Sequence, residues 1–533
     1  MAGDPQKRQE ELLLERGEKE GKYKDLIVFY FTQRRMDALA DLEKKIEPQT
    51  AARVYLDLAF VMERPESAPD LLDRAIEVRD PWVFYSLTKF FLKNNRLEDA
   101  LRVVARSIQS DRTDVFSANL LIKYLTRTGH DALAARLMDS SLALCPQQED
   151  IVRLRETPYP HDLYLDVPNQ FLSVDFYLPV YNVERYIRSA LEGVFRQNYP
   201  LHEVLVINDG TPDASMAIAR EYPVRILEHD VNRGLAAARN TAFRHATGHL
   251  LGAIDTDARP DPDYMRNVMI EFENAGPDLA GVGGRLVETY TETPPDHWRS
   301  LAMPQHRGDR RICPVEFLYG SNCVFRRDAV LAVGGYDERF RTNAEDTHVC
   351  AALRASGFHL VYTPWAAAYH ERRDSIPSVL KTMWNWFHAS KMEQNVYRQQ
   401  ERLLEMLYAT LDNGIRTLHA LNTADMRDVL YVQFAYVLHE ILMDVQFACQ
   451  QGIYSNETAA YVQNRILNGV DGLDRRLGGR LGQKLRKDLA HAIEGSRQST
   501  TESPGSELIE DFLCQFDHFC DNIPANLYAA LTQ

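Results

Sequence analysis

Between residues 171 and 257 the chain alternates short apolar runs with stretches of helical period, and that alternation leaves few folds open. Residues 171–180, 202–208, 224–227 and 248–254 read as strands, while 183–198, 213–222 and the stretch from 232 through 244 read as helices. Strands joined through helices pair in parallel, and their helices cover both faces of the sheet. In such sheets ligands bind beyond the carboxyl ends of the strands. The last of these strands ends in Asp255-Thr256-Asp257, an acid pair aimed at that edge. Paired carboxylates beside a crevice are costly unless a cation joins them. Mg2+ or Mn2+ suits oxygen ligands and keeps positions open for phosphate oxygens. The bare pattern also caps helices by chance, so its weight comes from its neighbours.

The 533 residues suffice for three or four domains. A net charge of −15 argues against a nucleic-acid surface as the main business of the chain. The seven cysteines are scattered with no CxxC pair, which fits free thiols in a reducing compartment better than disulfides or a zinc site. Residues 1–24 are charged and lack the apolar core of a signal peptide. No apolar run reaches the roughly 18 residues of a membrane span. The expected location is cytoplasmic, with peripheral attachment to a membrane surface left open by the basic cluster of Arg475, Arg476, Arg480, Lys484, Arg486 and Lys487.

Residues 1–155 read as all-helical. Asn95-Arg96-Leu97-Glu98-Asp99-Ala100-Leu101 stands 34 residues before Gly129-His130-Asp131-Ala132-Leu133-Ala134-Ala135, with looser copies at Arg35–Leu39 and 66–71. That period resembles tetratricopeptide repeats. Two readings stay open, a concave surface that docks a protein partner and a helical cap that supports the rest.

Leu178-Pro179-Val180-Tyr181-Asn182, Val206-Ile207-Asn208-Asp209-Gly210-Thr211, Asn232-Arg233-Gly234 with Ala238-Arg239-Asn240, and Asp255-Thr256-Asp257 stand in a fixed order. Gly334-Gly335-Tyr336-Asp337-Glu338-Arg339-Phe340, Glu345-Asp346, Gly357-Phe358, Tyr362-Thr363-Pro364 and His370 continue it. This ordered set resembles the family 2 glycosyltransferases of GT-A fold over residues 171 to about 372. The resemblance implies a nucleotide-sugar donor, a Mn2+ or Mg2+ cofactor and inversion at the anomeric carbon. Pro179, Tyr181 and Asn182 would wall the nucleobase, and the Asp209 carboxylate would accept a base N–H, against the plainer reading of a turn-forming Asp. Gly234 permits close backbone approach, and Arg239 offers a donor fork to base or phosphate, against the plainer reading of a surface residue. By resemblance Asp255 contacts the ribose, Asp257 binds the metal with Asp255 beside it, and His370 is a metal ligand or diphosphate contact. Asp346 would be the general base that takes the acceptor proton. Gly284, Asn322 and Glu345 would contact sugar or acceptor.

Residues 290–314 read as a mobile loop whose Arg307, Arg310 and Arg311 are solvated charge or phosphate ligands, the former favoured. Residues 376–533 read as helical, with Trp384, Trp386 and Phe387 as packing anchors. Gln399-Gln400-Glu401-Arg402-Leu403 lacks the Trp of the Gln-x-x-Arg-Trp motif of processive membrane synthases, which favours the addition of one or a few sugars. The expected architecture is a GT-A domain at 165–375 between helical regions at 1–155 and 376–533. The expected function is metal-dependent transfer from a nucleotide-diphosphate sugar, with uracil as the favoured base, to a protein, lipid-linked or saccharide hydroxyl. Homodimerisation is left open. The alternative is a helical-repeat scaffold whose nucleotide-sugar-binding domain has lost catalysis.

Overall fold

The computed structural model describes residues 80–110, 114–166, 172–341, 343–493 and 507–532, with parts of 5–56. The strands are β1 Val174–Val180, β2 Glu203–Asn208, β3 Arg225–Glu228, β4 Leu250–Ile254, β5 Ala258–Pro260, β6 Leu279–Glu288, β7 Asn322–Arg326 and β8 His359–His370. They form one sheet in the order β3-β2-β1-β4-β7-β6-β8-β5. β1 to β4 pair in parallel, as do β6 and β8, while β7 and β5 run against their neighbours. This mostly parallel sheet, with helical regions on either side in sequence, is the expected GT-A arrangement.

Alternate residues of β1 serve opposite faces. Phe176 and Leu178 join a core with Met265 and Phe272, whereas Tyr177 joins a second with Leu205, Phe243 and Phe325. Burial on both faces is why this strand reads as a continuous apolar run. The helices after β1 and β2, Ile187–Phe195 and Ser215–Ala219, are shorter than their period suggests. Their leading residues are held in turns instead. Asn182 N–H donates to Thr211 Oγ1 (2.8 Å), Glu184 N–H to Asp213 Oδ2 (2.9 Å) and Ala214 N–H to Glu184 Oε2 (3.1 Å). Acceptors brought in from the neighbouring strand-end loop thus satisfy these N–H groups outside any helix.

The expected mobile loop at 290–314 is a correction. Pro294–Ala302 is a helix capped by Thr293, whose Oγ1 accepts from Asp296 N–H. Thr293-Pro294-Pro295-Asp296 carries a start signal, with prolines in the first helical positions, that outweighs its loop-like composition. Trp298 from this helix is buried and donates its indole N–H to Gln433 (2.8 Å). Arg311 is no solvated charge: it is buried against Asp150 and Glu271 (2.8 Å each).

Helix pairs Pro81–Lys93 with Leu97–Ser110, and Phe116–Arg127 with Asp131–Leu144, build the described N-terminal region. Asn95 and Gly129, 34 residues apart, both turn in the left-handed region (φ 57° and 76°). The helical content is as expected; the copy at 66–71 lies outside the described residues. The pairs dock on the sheet domain through Phe116 on Trp365 (4.6 Å between ring centroids) and Lys89 on Glu273 (2.8 Å), and the short helix Glu149–Val152 adds Asp150 on Arg311.

In the C-terminal third, Ile376–Glu393, Gln400–Thr423, Arg427–Gln450, Asn456–Leu477 and Glu507–Asp521 share one apolar core, which also takes Trp298. The helices Ile376–Glu393 and Gln400–Thr423 are separated near Asn395, a left-handed residue. Trp384 packs on Phe447 and Trp386 on the core, but Phe387 is 45% exposed and anchors nothing. Within the basic cluster Arg476 and Arg486 pair with Asp521 and Asp471. Among the described residues no helix is long and apolar enough to cross a membrane.

Candidate active site

A cavity of about 260 Å³ opens at the carboxyl ends of β1, β2 and β4. Its walls include Pro179, Tyr181, Asp209, Gly234, Asp255 and Asp257, six of the residues singled out from sequence. Asn182 stands beside it in a left-handed turn (φ 56°). Tyr181 is 45% exposed, an aromatic ring free to cover a flat ligand.

Asp209 leaves β2 with its carboxylate already at work. Oδ1 accepts from Arg233 N–H (2.8 Å) and faces His229 Nδ1 (2.7 Å), and Oδ2 accepts from Gly234 N–H (2.8 Å). These bonds hold the 229–234 loop rather than a turn at Gly210, where Asn208 Oδ1 instead accepts Thr211 N–H (2.9 Å). A carboxylate has about four lone-pair sites, so one remains for a ligand. Gly234 has φ 96°, and a Cβ there would stand 2.7 Å from the Arg341 carbonyl. Glycine is thus required by the 341 segment closing over the loop.

Arg239 corrects its plainer reading, being no surface residue. It is 1% exposed beneath the cavity. Its guanidinium donates to Tyr177 Oη (2.9 Å), the Gly320 carbonyl (3.0 Å), Asp255 Oδ1 (3.2 Å) and Glu345 Oε1 (3.2 Å). It ties the strand-end acid pair to the start of the helix Glu345–Ala355. Burial raises the Asp255 carboxyl, with Asp257 and Asp346 adding to that effect against the pull of Arg239.

Asp257 faces His370 Nε2 at 3.4 Å, and His370 Nδ1 meets Glu288 Oε1 at 2.8 Å. The ladder makes this contact, because Glu288 and His370 are register partners of β6 and β8. Burial alone would push His370 down; Asp257 and Glu288 more than offset that and lift it to about 9. Burial would likewise raise Asp257, but His370 and Arg372 hold it at about 2. Arg299 braces Glu288 (2.7 Å) and is itself clasped by Asp296 and Asp374. Glu288 and Arg299 escaped the sequence reading, since their partners lie 75 or more residues away in several cases and no local spacing marks them.

Among the described residues no three His, Cys, Asp or Glu side chains form a ready metal cage. The donors that do converge fit a hard divalent cation nonetheless. Mg2+ is usually held by one or two carboxylates with phosphate oxygens completing the shell. A ligating imidazole characteristically gives its other nitrogen to a carboxylate, and His370 does so through Glu288.

Across the site, Asn343 and Ala344 both take positive φ (127° and 68°), a strained approach to the helix that begins at Glu345. Such strain costs on the order of 1–3 kcal/mol per residue and gathers at functional sites. Asp346 is half-buried. Gly320 N–H donates to its Oδ2 (2.9 Å) and Thr347 N–H to its Oδ1 (2.8 Å). Glu345 behind it is buried, and burial with Asp346 and Asp255 nearby pushes its carboxyl up to about 7 against the pull of Arg239. Asn322 is 1% exposed with neither amide atom hydrogen-bonded, one residue along from the Ser321 carbonyl that accepts Asp255 N–H. A Cβ on Gly284 would meet Asn322 Oδ1 at 2.9 Å and the Ala366 carbonyl at 1.8 Å, so these two predicted contacts are neighbours and the glycine serves strand packing.

Residues 175–334 match the family described as Glycosyl transferase family 2. A glucosyl-dolichyl phosphate glucuronosyltransferase of Haloferax volcanii is 26% identical over 297 residues, 52% of this chain and 89% of that one. The putative glycosyltransferase EpsH of Bacillus subtilis is 32% identical over 146 residues, 24% of this chain and 41% of that one. Among solved structures, the mannosyltransferase PcManGT of Pyrobaculum calidifontis, in complex with GDP-Man and Mn2+, covers 71% of this chain and 97% of its own at 18% identity, with a TM-score of 0.34. The chain thus carries a family 2 glycosyltransferase domain, and it is a glycosyltransferase. The non-catalytic scaffold alternative falls away.

Proposed function

We propose that the protein transfers a sugar, with inversion, from a nucleotide-diphosphate sugar to an acceptor hydroxyl, using a divalent cation and Asp346 as the proton acceptor. The observation that carries this reading is the juxtaposition of one strand-end cavity, the Asp257–His370 pair at its floor and Asp346 across Arg239 and Gly320. Within it, Tyr181 and Pro179 cover the base and the remaining lone pair of Asp209 takes a base N–H, uracil being the favoured base. Asp255 takes ribose hydroxyls. Asp257 and His370 would hold Mn2+ or Mg2+, with Glu288 fixing the imidazole. When bound, the cation neutralises the diphosphate as it departs.

The acceptor hydroxyl attacks the anomeric carbon from the side opposite the diphosphate. Its proton passes to Asp346, the new C–O bond forms, and the electrons of the old one leave with the diphosphate oxygen. The transition state carries oxocarbenium character. Two backbone N–H donors orient the Asp346 carboxylate without neutralising it. Glu345, held largely protonated below neutrality, adds less negative charge than a second free carboxylate would. We read 165–375 as the unit that does this chemistry, with 1–155 and 376–533 supporting it. Similarity to the glucosyl-dolichyl phosphate glucuronosyltransferase of Haloferax volcanii favours a lipid-linked acceptor over a protein one.

UDP release in the presence of a UDP-sugar panel and Mn2+ tests the reading. Turnover that survives both Asp257→Ala and Asp346→Asn would overturn it.

A further inference from the structure

Three deeply buried arginines each face carboxylates, and two half-buried arginines on the acceptor side do not. Arg239 faces Asp255 and Glu345, Arg299 faces Glu288, Asp296 and Asp374, and Arg311 faces Asp150 and Glu271. Arg285 of β6 and Arg307, five residues past the helix Pro294–Ala302, are half-buried. Neither has a carboxylate partner among the described residues, and in each the Nε is sealed from solvent with no acceptor. The chain carries 15 more acidic than basic charges, so this is not for want of carboxylates. A buried donor left unmade is costly and asks for a partner.

Arg307 is held in place. Its guanidinium lies 4.2 Å from the centroid of Phe317 and 5.9 Å from that of Tyr319, and Nη2 donates to the Phe317 carbonyl (3.4 Å). Its segment is pinned to the site from three directions. Leu286 N–H donates to the Gln305 carbonyl (3.2 Å), Ser321 Oγ to Gln305 Oε1 (2.7 Å) and Tyr362 Oη to the Gly308 carbonyl (2.6 Å). Leu286 follows Arg285 directly, and Ser321 follows the Gly320 whose N–H holds Asp346. Between them, burial and the Arg285 charge hold the His306 imidazole below its ordinary value.

We propose that Arg285 and Arg307 bind a phosphate monoester carried by the acceptor, beside the proton acceptor Asp346. Guanidinium forks match phosphate oxygens two at a time. A carboxylate would compensate one of the two charges, whereas a phosphate monoester carries about −1.5 to −2 at pH 7 and compensates both. The proposal rests on the glycosyltransferase reading for its meaning, but the anion site stands on its own geometry.

The test is calorimetric titration of the full chain, in metal-free buffer, with inorganic phosphate, hexyl phosphate and glucose 1-phosphate. Wild type is expected to bind phosphate, and Arg285→Gln and Arg307→Gln to weaken it about tenfold or more, the scale of a charged hydrogen bond. Arg307→Lys, which keeps the charge and loses the fork, is expected to fall between and serves if a Gln variant fails to fold. Tighter binding of hexyl phosphate marks a lipid-borne phosphate; tighter binding of glucose 1-phosphate marks a saccharide-borne one. No binding by wild type, or equal binding by folded variants, overturns the site. A UDP-sugar titration of wild type with Mn2+ reads the donor half separately, so wild type that takes phosphate but no nucleotide-sugar sinks only the donor reading.

Discussion

In the proposed reading, the donor and acceptor halves of the site handle charge in opposite ways. On the donor side each buried charge is answered by the chain itself: Asp209 by two backbone N–H groups, Arg239 by two carboxylates, His370 by Asp257 and Glu288. Only a few lone pairs and the Asp257–His370 edge are left for a ligand. On the acceptor side Asp346 is held by two N–H groups, while Arg285 and Arg307 have no carboxylate partner among the described residues and an unbonded Nε each. A preorganised, self-compensated half can hold a small donor with little rearrangement. The uncompensated half takes its missing charge from what it binds.

Breaking each half in turn sharpens that contrast. The largest effect is expected for Asp346→Asn, which should lower kcat roughly 10²–10⁴-fold, the range of general-base catalysis, with KM for the donor little changed in steady-state kinetics. Next, Asp257→Ala should cost on the order of a thousandfold in turnover, several kcal/mol of charge stabilisation, and should abolish the response to added Mn2+.

Arg239→Met should act on folding rather than ligand contact. It strands the buried Glu345 carboxylate and the half-buried Asp255 one, and breaking a buried pair costs about 3–5 kcal/mol, readable by urea denaturation. This prediction shows where the sequence was legible. Asp255 and Asp257 announce themselves through a short apolar run that ends in acids, and the strand–helix alternation gives the sheet. The fork of Arg239 is visible too, but its partners Tyr177, Gly320 and Glu345 lie 62 to 106 residues away, so its burial is invisible to local spacing. Glu288 ends an amphipathic-looking strand and resembles a solvent-facing charge until β8 brings His370 beside it. In the 290–314 segment the loop-like composition masks the Thr293-Pro294-Pro295-Asp296 helix start.

Glu288→Gln probes that hidden support. Mn2+ affinity, read by electron paramagnetic resonance of the free ion, should fall about 10–100-fold, as for other partners of metal-bound histidines. The smallest effect concerns pH. Glu345 is held up to about 7 in the folded chain, above its unfolded value, so the folded state binds more protons between about pH 4.5 and 7. Its contribution is therefore present at low pH and fades as pH rises through that window. Glu345→Gln should flatten this component of the stability–pH curve in denaturation experiments; an unchanged slope would place the proton elsewhere.

The central claim is that a divalent cation joins the donor's diphosphate to the Asp257–His370 edge. Calorimetric titration of wild type with UDP and with a UDP-sugar, once with Mn2+ and once with chelator, tests it most directly. Binding tightened at least about tenfold by Mn2+, equivalent to 1.4 kcal/mol, is the predicted result. Equal affinity with and without the metal would contradict it.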